Sequence, residues 1–219
     1  MNKRIFVAAA LAALTVAPAA FAAGKGTSLL SLGLGQASTP VGDVLSAGSG
    51  NVYPTSEPAI NAGAQYWYMA TDDYAFTVAG KLAYGNQKWE PADSGDPEAK
   101  KKLSGFSLRV GGDRVGKVGD RLLVYMGPGL QFASHKGKLE VDGQPDVETG
   151  DATFFGVNGR IGGIMMLSDA VGISGEVSHS FGLASAEDDN DPAGTAKTTW
   201  TASDFSAFWG LTFAFGGSK

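Results

Sequence analysis

Beyond residue 23 the chain carries no apolar run long enough to cross a bilayer as a helix, yet large apolar residues return at every second position. Period two is the repeat of a β-strand, whose successive side chains point to opposite faces. Eight segments of roughly ten residues carry this alternation, which is the pattern of barrel strands in a membrane. The first sets Leu30, Leu32 and Leu34 against Ser31, Gly33 and Gly35. The second sets Ile60, Ala62, Ala64, Tyr66 and Tyr68 against Asn61, Gly63 and Gln65, and the third Tyr74, Phe76, Val78, Leu82 and Tyr84 against Ala75, Thr77, Ala79 and Lys81. In the fourth, Phe106, Leu108 and Val110 oppose Ser107, Arg109 and Gly111.

The second half repeats the scheme. Leu122, Val124, Met126, Leu130 and Phe132 oppose Tyr125, Gly127, Gly129 and Gln131; Phe155, Val157, Ile161 and Met165 oppose Gly156, Asn158, Arg160 and Gly162. Val171, Ile173 and Val177 oppose Gly172, Ser174, Glu176 and Ser178, and the last segment sets Phe205, Ala207, Trp209, Leu211, Phe213 and Phe215 against Ser206, Gly210, Thr212 and Ala214. Pro128 falls on the outward face of the fifth strand. It removes a ladder donor, so a bulge is expected there.

Connection lengths give the topology. Tight turns are expected around Asp72-Asp73, Gly116 to Asp120 and Ser168-Asp169, and long polar loops over Gln36 to Pro58, Asn86 to Leu103, Ser134 to Asp151 and Gly182 to Trp200. Short turns alternating with long loops fit an eight-stranded antiparallel up-and-down barrel with periplasmic turns and external loops. The mid-strand charges Lys81, Arg109, Arg160 and Glu176 all fall on the polar face. Random placement gives that in about one case in sixteen, and an outward Arg or Lys at mid-bilayer costs roughly 2–4 kcal/mol. Tyr66, Tyr68, Tyr74, Phe76, Phe213 and Phe215 gather at the turn ends, where an interfacial girdle belongs. A soluble lipocalin-like barrel reverses these faces.

The N-terminus reads as an export leader. Lys3 and Arg4 precede an apolar stretch from Ile5 to Ala17, Pro18 breaks it, and Ala20-Phe21-Ala22 places small residues at a cleavage site. The expected division is a leader over residues 1–22 and one barrel domain over 23–219. Loss of Lys3 and Arg4 moves the formal net charge from −5 to about −7. That acidic balance argues against nucleic acid, which demands clustered Lys and Arg. The chain has no cysteine, so packing and hydrogen bonds alone must hold it.

In topology and in its closing segment, Phe205-Ser206-Ala207-Phe208-Trp209-Gly210-Leu211-Thr212-Phe213-Ala214-Phe215, the sequence resembles the eight-stranded OmpA, OmpX and opacity-protein barrel superfamily over nearly all of its mature length. The resemblance implies a Gram-negative outer-membrane location among lipid and lipopolysaccharide. It also implies that the assembly machinery reads the last strand, with Trp209, Leu211, Phe213 and Phe215 as the signal. Four residues, Gly216 to Lys219, follow the final aromatic here, a departure from that pattern.

Three chemistries are open to such a chain. Lys81, Arg109, Arg160 and Glu176 are close enough in a narrow lumen to form a structural ionic plug, or a gate that exchanges partners and passes small ions. Lipid A deacylases of the same barrel type use a His, a Ser and an acid near the external leaflet. Here His179 and Ser180 are adjacent and point to opposite faces, with Glu187 following, which departs from that pattern. His135 is placed with Lys136 in the third loop, in solvent. The acidic run Glu187 to Asp191 offers oxygen ligands to a hard cation but matches no EF-hand spacing. Glu90 to Lys102 reads as another mobile loop. No phosphate-cradling loop, His/Cys cluster or paired catalytic carboxylates are found. The expectation is a non-enzymatic, cofactor-free structural or surface-interaction barrel displaying four loops; a small channel and a lipid-modifying enzyme are the alternatives.

Overall fold

The computed structural model describes residues 24–38, 58–89, 99–141, 143, 146–187 and 197–216. The leader with Ala20 and Ala22, the first loop between 39 and 57, and most of the acidic run lie outside those residues. Eight strands follow one another: β1 (Thr27–Ser38), β2 (Pro58–Met69), β3 (Tyr74–Trp89), β4 (Ala99–Val118), β5 (Leu122–Val141), β6 (Val147–Met166), β7 (Val171–Glu187) and β8 (Lys197–Gly216). Each pairs antiparallel with its neighbours in sequence, and β1 pairs with β8, so the sheet closes into a barrel. Closure leaves no strand edge with unpaired backbone groups, the condition for crossing hydrocarbon with strands.

The faces fall as the alternation requires. Leu32, Phe76, Val78, Leu82, Phe106, Leu108, Leu130, Val157, Ile173 and Trp209 are all exposed on the outside, while Ser31, Asn61, Gln65, Thr77, Arg109, Asn158 and Ser174 are buried inside. An apolar surface running right round the wall is far beyond what a soluble monomer exposes. Aromatic rings border it at both ends. Tyr66 and Phe215 approach to 6.5 Å between centroids near the turns, and Phe106 and Phe132 to 5.9 Å near the open end.

The three connections at one end are short, and those after β2 and β6 carry internal hydrogen bonds. The amide of Ala70 donates to the Tyr74 carbonyl at 2.9 Å. Gly119 takes a positive φ of 65° between β4 and β5, a conformation that glycine adopts without a Cβ clash. The Val171 amide donates to Ser168 Oγ at 3.1 Å between β6 and β7.

At the opposite end strand takes up half or more of three of the expected long loops. β3 runs to Trp89, β4 starts at Ala99, β5 runs to Val141, β6 starts at Val147, β7 runs to Glu187 and β8 starts at Lys197. The Glu90–Lys102 loop therefore loses Ala99 to Lys102 to β4, where Lys102 lies opposite Lys138. The reason is environmental. Above the hydrocarbon the outward face meets water while the inward face keeps buried residues such as Leu103 and Ala152, so the apolar-out alternation that marks a membrane strand disappears while its ladder continues. A span of membrane needs about 9–11 tilted residues, and β4, β5, β6 and β8 have 20 each.

The expected bulge at Pro128 is absent. Gly129 pairs with Gly111 and Met126 with Arg114 in one unbroken register, and Pro128 sits opposite Gly159 of β6. The Arg109 guanidinium donates to the carbonyls of Pro128 at 3.1 Å and Gly127 at 3.3 Å, which gives those two acceptors a partner. The register shift in β5 lies instead between His135 and Gly137.

Candidate functional site

The interior changes character with depth. Nearest the turns, Leu29, Trp67, Met69, Ala75, Val115, Leu123, Tyr125, Ile164 and Met166 form a buried apolar cluster. These are inward positions of the same strands whose outward positions are also apolar. No polar–apolar contrast marks them in the sequence.

Immediately above lies the charge layer. Arg160, its side chain without solvent exposure, donates to both oxygens of Asp113, by Nε at 3.1 Å and by Nη2 through a shorter contact. Its Nη1 donates to Glu176 Oε2 at 2.9 Å and to Gln65 Oε1 at 3.2 Å. The guanidinium carbon stands 5.2 Å from the ring centroids of both Trp67 and Tyr125, the face-on position in which an aromatic ring attracts a cation. Trp67 Nε1 donates to Asp113 Oδ2 at 3.1 Å, and the Tyr125 hydroxyl to Glu176 Oε2 at 3.1 Å. Every oxygen and nitrogen of the Arg160–Asp113–Glu176 core thus has a partner, which offsets the cost of removing these charges from water.

Arg109 extends the layer upward. It lies 3.5 Å from Asp113 and donates to Asn158 Oδ1 at 2.6 Å and to Thr77 Oγ1 at 2.8 Å. Lys81 is the outermost member, 3.9 Å from Glu176 and 3.3 Å from Ser206 Oγ. The glycines of the inner face make room for these groups. A Cβ on Gly129 would lie 2.8 Å from the Arg109 guanidinium carbon, and one on Gly162 would lie 2.5 Å from the Tyr125 hydroxyl.

The structure therefore brings Lys81, Arg109, Arg160 and Glu176 into one network. Asp113, its most connected acid, was missed. The signal was available, because Asp113 lies an even number of positions from Arg109 and shares its face, but the fourth alternating segment was ended at Gly111. The bulky inward rings of Trp67, Phe154 and Phe208 were missed for another reason: each is apolar beside a bulky apolar outward neighbour, so no contrast marks its inward face. At the level of Trp67, Asp113 and Arg160 the cross-section is filled by side chains with almost no solvent exposure.

The other candidates separate. His179 is exposed on the outside of β7, whereas Ser180 is 1% exposed inside, donating to Gln131 Oε1 at 2.7 Å and accepting from Asn158 Nδ2 at 2.8 Å. A base cannot reach a hydroxyl through the wall, so the pair is no nucleophilic couple. His135 is not in a loop. β5 continues to Val141, and the parity that buries Ala133 carries His135 inward, to 7% exposure. Trp209, Phe213 and Phe215 face outward on β8 and Leu211 is half-exposed. At the open rim, outside the apolar belt, Lys102 and Lys138 reach Glu140 at 2.7 and 3.3 Å, and their hydrogen bonds hold its carboxyl below the usual range. Among the described residues no group of three or more His, Asp or Glu converges as a metal site.

The model of the outer membrane protein beta-barrel domain matches residues 6–216. No curated protein matches the sequence. Among solved structures the chain is similar to Ail, the attachment invasion locus protein of Yersinia pestis, with a TM-score of 0.52 and 14% identity over 87% of this chain and 99% of that one. A second structure of Ail, in complex with the heparin analogue sucrose octasulfate, gives 0.52 and 11% over the same shares. The outer membrane protein OprG of Pseudomonas aeruginosa gives 0.49 and 13%, over 89% of this chain and 98% of that one. At such identities the likeness to Ail establishes the eight-stranded fold and nothing finer.

Proposed function

The chain belongs to the outer membrane protein β-barrel family, and on that premise we propose that it is a non-enzymatic structural and surface-interaction barrel of the Gram-negative outer membrane. In this reading the chain is exported on a leader cleaved after Ala22. The assembly machinery recognises it through Trp209, Leu211, Phe213 and Phe215, and it lies among outer-membrane lipid and lipopolysaccharide. Its four external connections meet ligands outside the cell.

The observation that carries the proposal is the wall itself. Strands of 20 residues at about 3.3 Å per residue, tilted by about 45°, rise roughly 45 Å against an apolar band of about 25 Å. The excess projects as a rigid, hydrogen-bonded rim and lifts the loops well clear of the lipid. A barrel whose only task were to span the membrane has no use for that height. The filled cross-section at Arg160 and the separation of His179 from Ser180 favour this reading over a channel or a deacylase. The attachment recorded in the name of Ail supports it by analogy of fold alone.

The test is adhesion of bacteria producing the protein to cultured cells and matrix. Replacing 90–98 and 188–196 by tight turns should reduce adhesion while the barrel still folds and inserts. Undiminished adhesion from a correctly inserted, loop-trimmed barrel, or altered lipid A on overproduction, would overturn the proposal.

A further inference from the structure

The lipid-facing wall carries a polar side chain that the loop-display reading leaves without a task. His179 is exposed on the outside of β7, between the exposed Val177 and Phe181. Its ring nitrogens have no hydrogen-bond partner among the described residues. A polar group against hydrocarbon costs free energy unless something there meets it.

Its depth is set by the strand. His179 lies eight residues along β7 from Val171 at the turn end, which is about 19 Å up an apolar band of about 25 Å for a strand tilted by about 45°. Phe205, directly opposite on β8, is exposed and apolar, and the next outward positions of β8, Ser203 and Thr201, are exposed and polar. The outer edge of the band therefore passes just above His179, and the imidazole sits in the uppermost hydrocarbon of the outer leaflet.

The wall beside it is hollow. The register row through His179 continues as Gly159 on β6, Pro128 on β5 and Gly112 on β4. A Cβ on Gly159 would meet nothing within 4 Å, and at the far end the Tyr74 ring lies against Gly112, where an added Cβ would come to 3.2 Å. Leu130, Val157 and Phe181 stand exposed along one side of the row and Met126, Ile161 and Val177 along the other. With strands about 4.8 Å apart, the row is a shallow groove about 14 Å long. Gly112 is six residues from the turn end of β4, so the groove rises toward His179.

We propose that this groove holds one acyl chain of an outer-leaflet lipid that bears a hydroxyl close to its carbonyl. The hydroxyl hydrogen-bonds to the His179 imidazole, and the methylenes run down the groove over Gly159 and Pro128 to Gly112. A hydroxyl so placed stands just below the carbonyl, level with the imidazole. An unsubstituted chain fills the groove and leaves the imidazole unmet, and a headgroup phosphate lies above its reach. The inference rests on the outer-membrane location and is independent of what the loops bind.

The chain has two histidines. His135 is buried in the lumen and serves as the internal control. The full-length protein, histidine-labelled with ¹³C and ¹⁵N, would be held one copy per nanodisc in phosphatidylcholine. A growing share of that lipid would carry 3-hydroxytetradecanoyl chains, and in the matched series tetradecanoyl chains. The expected result is a saturable shift of the His179 ring signals with the hydroxylated lipid, none with the plain one, and an unmoved His135. The hydroxylated lipid should also be retained over the plain one on extraction by about threefold to tenfold, the worth of one hydrogen bond, and His179→Phe should bring that ratio to one. Gly159→Leu adds a side chain to open space on the lipid face, so the barrel folds, the groove is filled and the His179 shift is lost. Equal shifts with both lipids, an unchanged shift in Gly159→Leu, or a preference that persists in His179→Phe would each overturn the proposal. An inserted barrel without the preference defeats this inference alone and leaves the outer-membrane reading standing.

Discussion

At the turn end Trp67, Met69, Leu123, Ile164 and Met166 fill the lumen with carbon. At the open end Asn61, Lys81, Ser107 and Gln131 border a cavity, although both ends carry the same aliphatic and aromatic residues on their outer faces. The difference shows that the lipid dictates only half of each strand. Facing outward, the positions within the belt are apolar with few exceptions, His179 among them. Facing inward, the barrel is free to close with a dry plug below and to mix polar and apolar groups above, and the Arg160–Asp113–Glu176 layer is the boundary between the two. Such a layer is stable only when complete, because a buried charge without its partner loses hydration and gains nothing in return.

The largest effect should come from breaking that boundary. Asp113→Ala strips Arg160 of two hydrogen bonds and Arg109 of its carboxylate. It should cost about 3–5 kcal/mol, as broken buried pairs do, visible as a lower urea midpoint in liposomes followed by tryptophan fluorescence. Glu176→Gln should act in the same direction and less, since the amide retains the shape and Arg160 keeps Asp113. Met69→Ala in the plug creates a cavity that its neighbours cannot fill, at about 2–4 kcal/mol, read in the same titration. On the lipid face, Val78→Arg should cost roughly 2–4 kcal/mol near the bilayer midplane and cost much less in a zwitterionic micelle that hydrates the guanidinium. The smallest effect belongs to the upper lumen. Ser107→Ala, on the cavity wall, should change stability by less than about 0.5 kcal/mol. A loss from Ser107→Ala as large as that from Met69→Ala would erase the contrast between the two ends.

The outer half of the architecture could be read from residue order. Leu32, Val78, Leu108, Leu130 and Val157 mark the belt because lipid imposes a strict contrast with Ser31, Thr77, Ser107, Gln131 and Asn158. The strand count followed, and so did the inward placement of Lys81, Arg109, Arg160 and Glu176. What could not be read lies where that contrast fades. Trp67, Ile164 and Met166 are apolar among apolar neighbours, so their inward orientation left no mark. Lys102, His135 and Lys138 lie above the hydrocarbon, where the outward face is wet and no longer apolar, and a polar stretch looks like a loop even while its ladder continues. Asp113 was within reach of parity and was lost to a strand end placed too early. Pro128 misled in the opposite sense, because a missing donor suggested a bulge, whereas the register with β4 runs even on both sides of it.

The central claim is that the apolar plug and the charge layer together close the lumen, leaving a blind, outward-facing cavity above. Planar-bilayer recording of the purified, refolded protein tests it most directly. The account predicts an electrically silent membrane at moderate voltage, for the native protein and equally for Ser107→Ala. Steady, resolvable openings by the native protein, with an ion selectivity that changes in Arg109→Gln or Glu176→Gln, would contradict it and show that the layer is a gate.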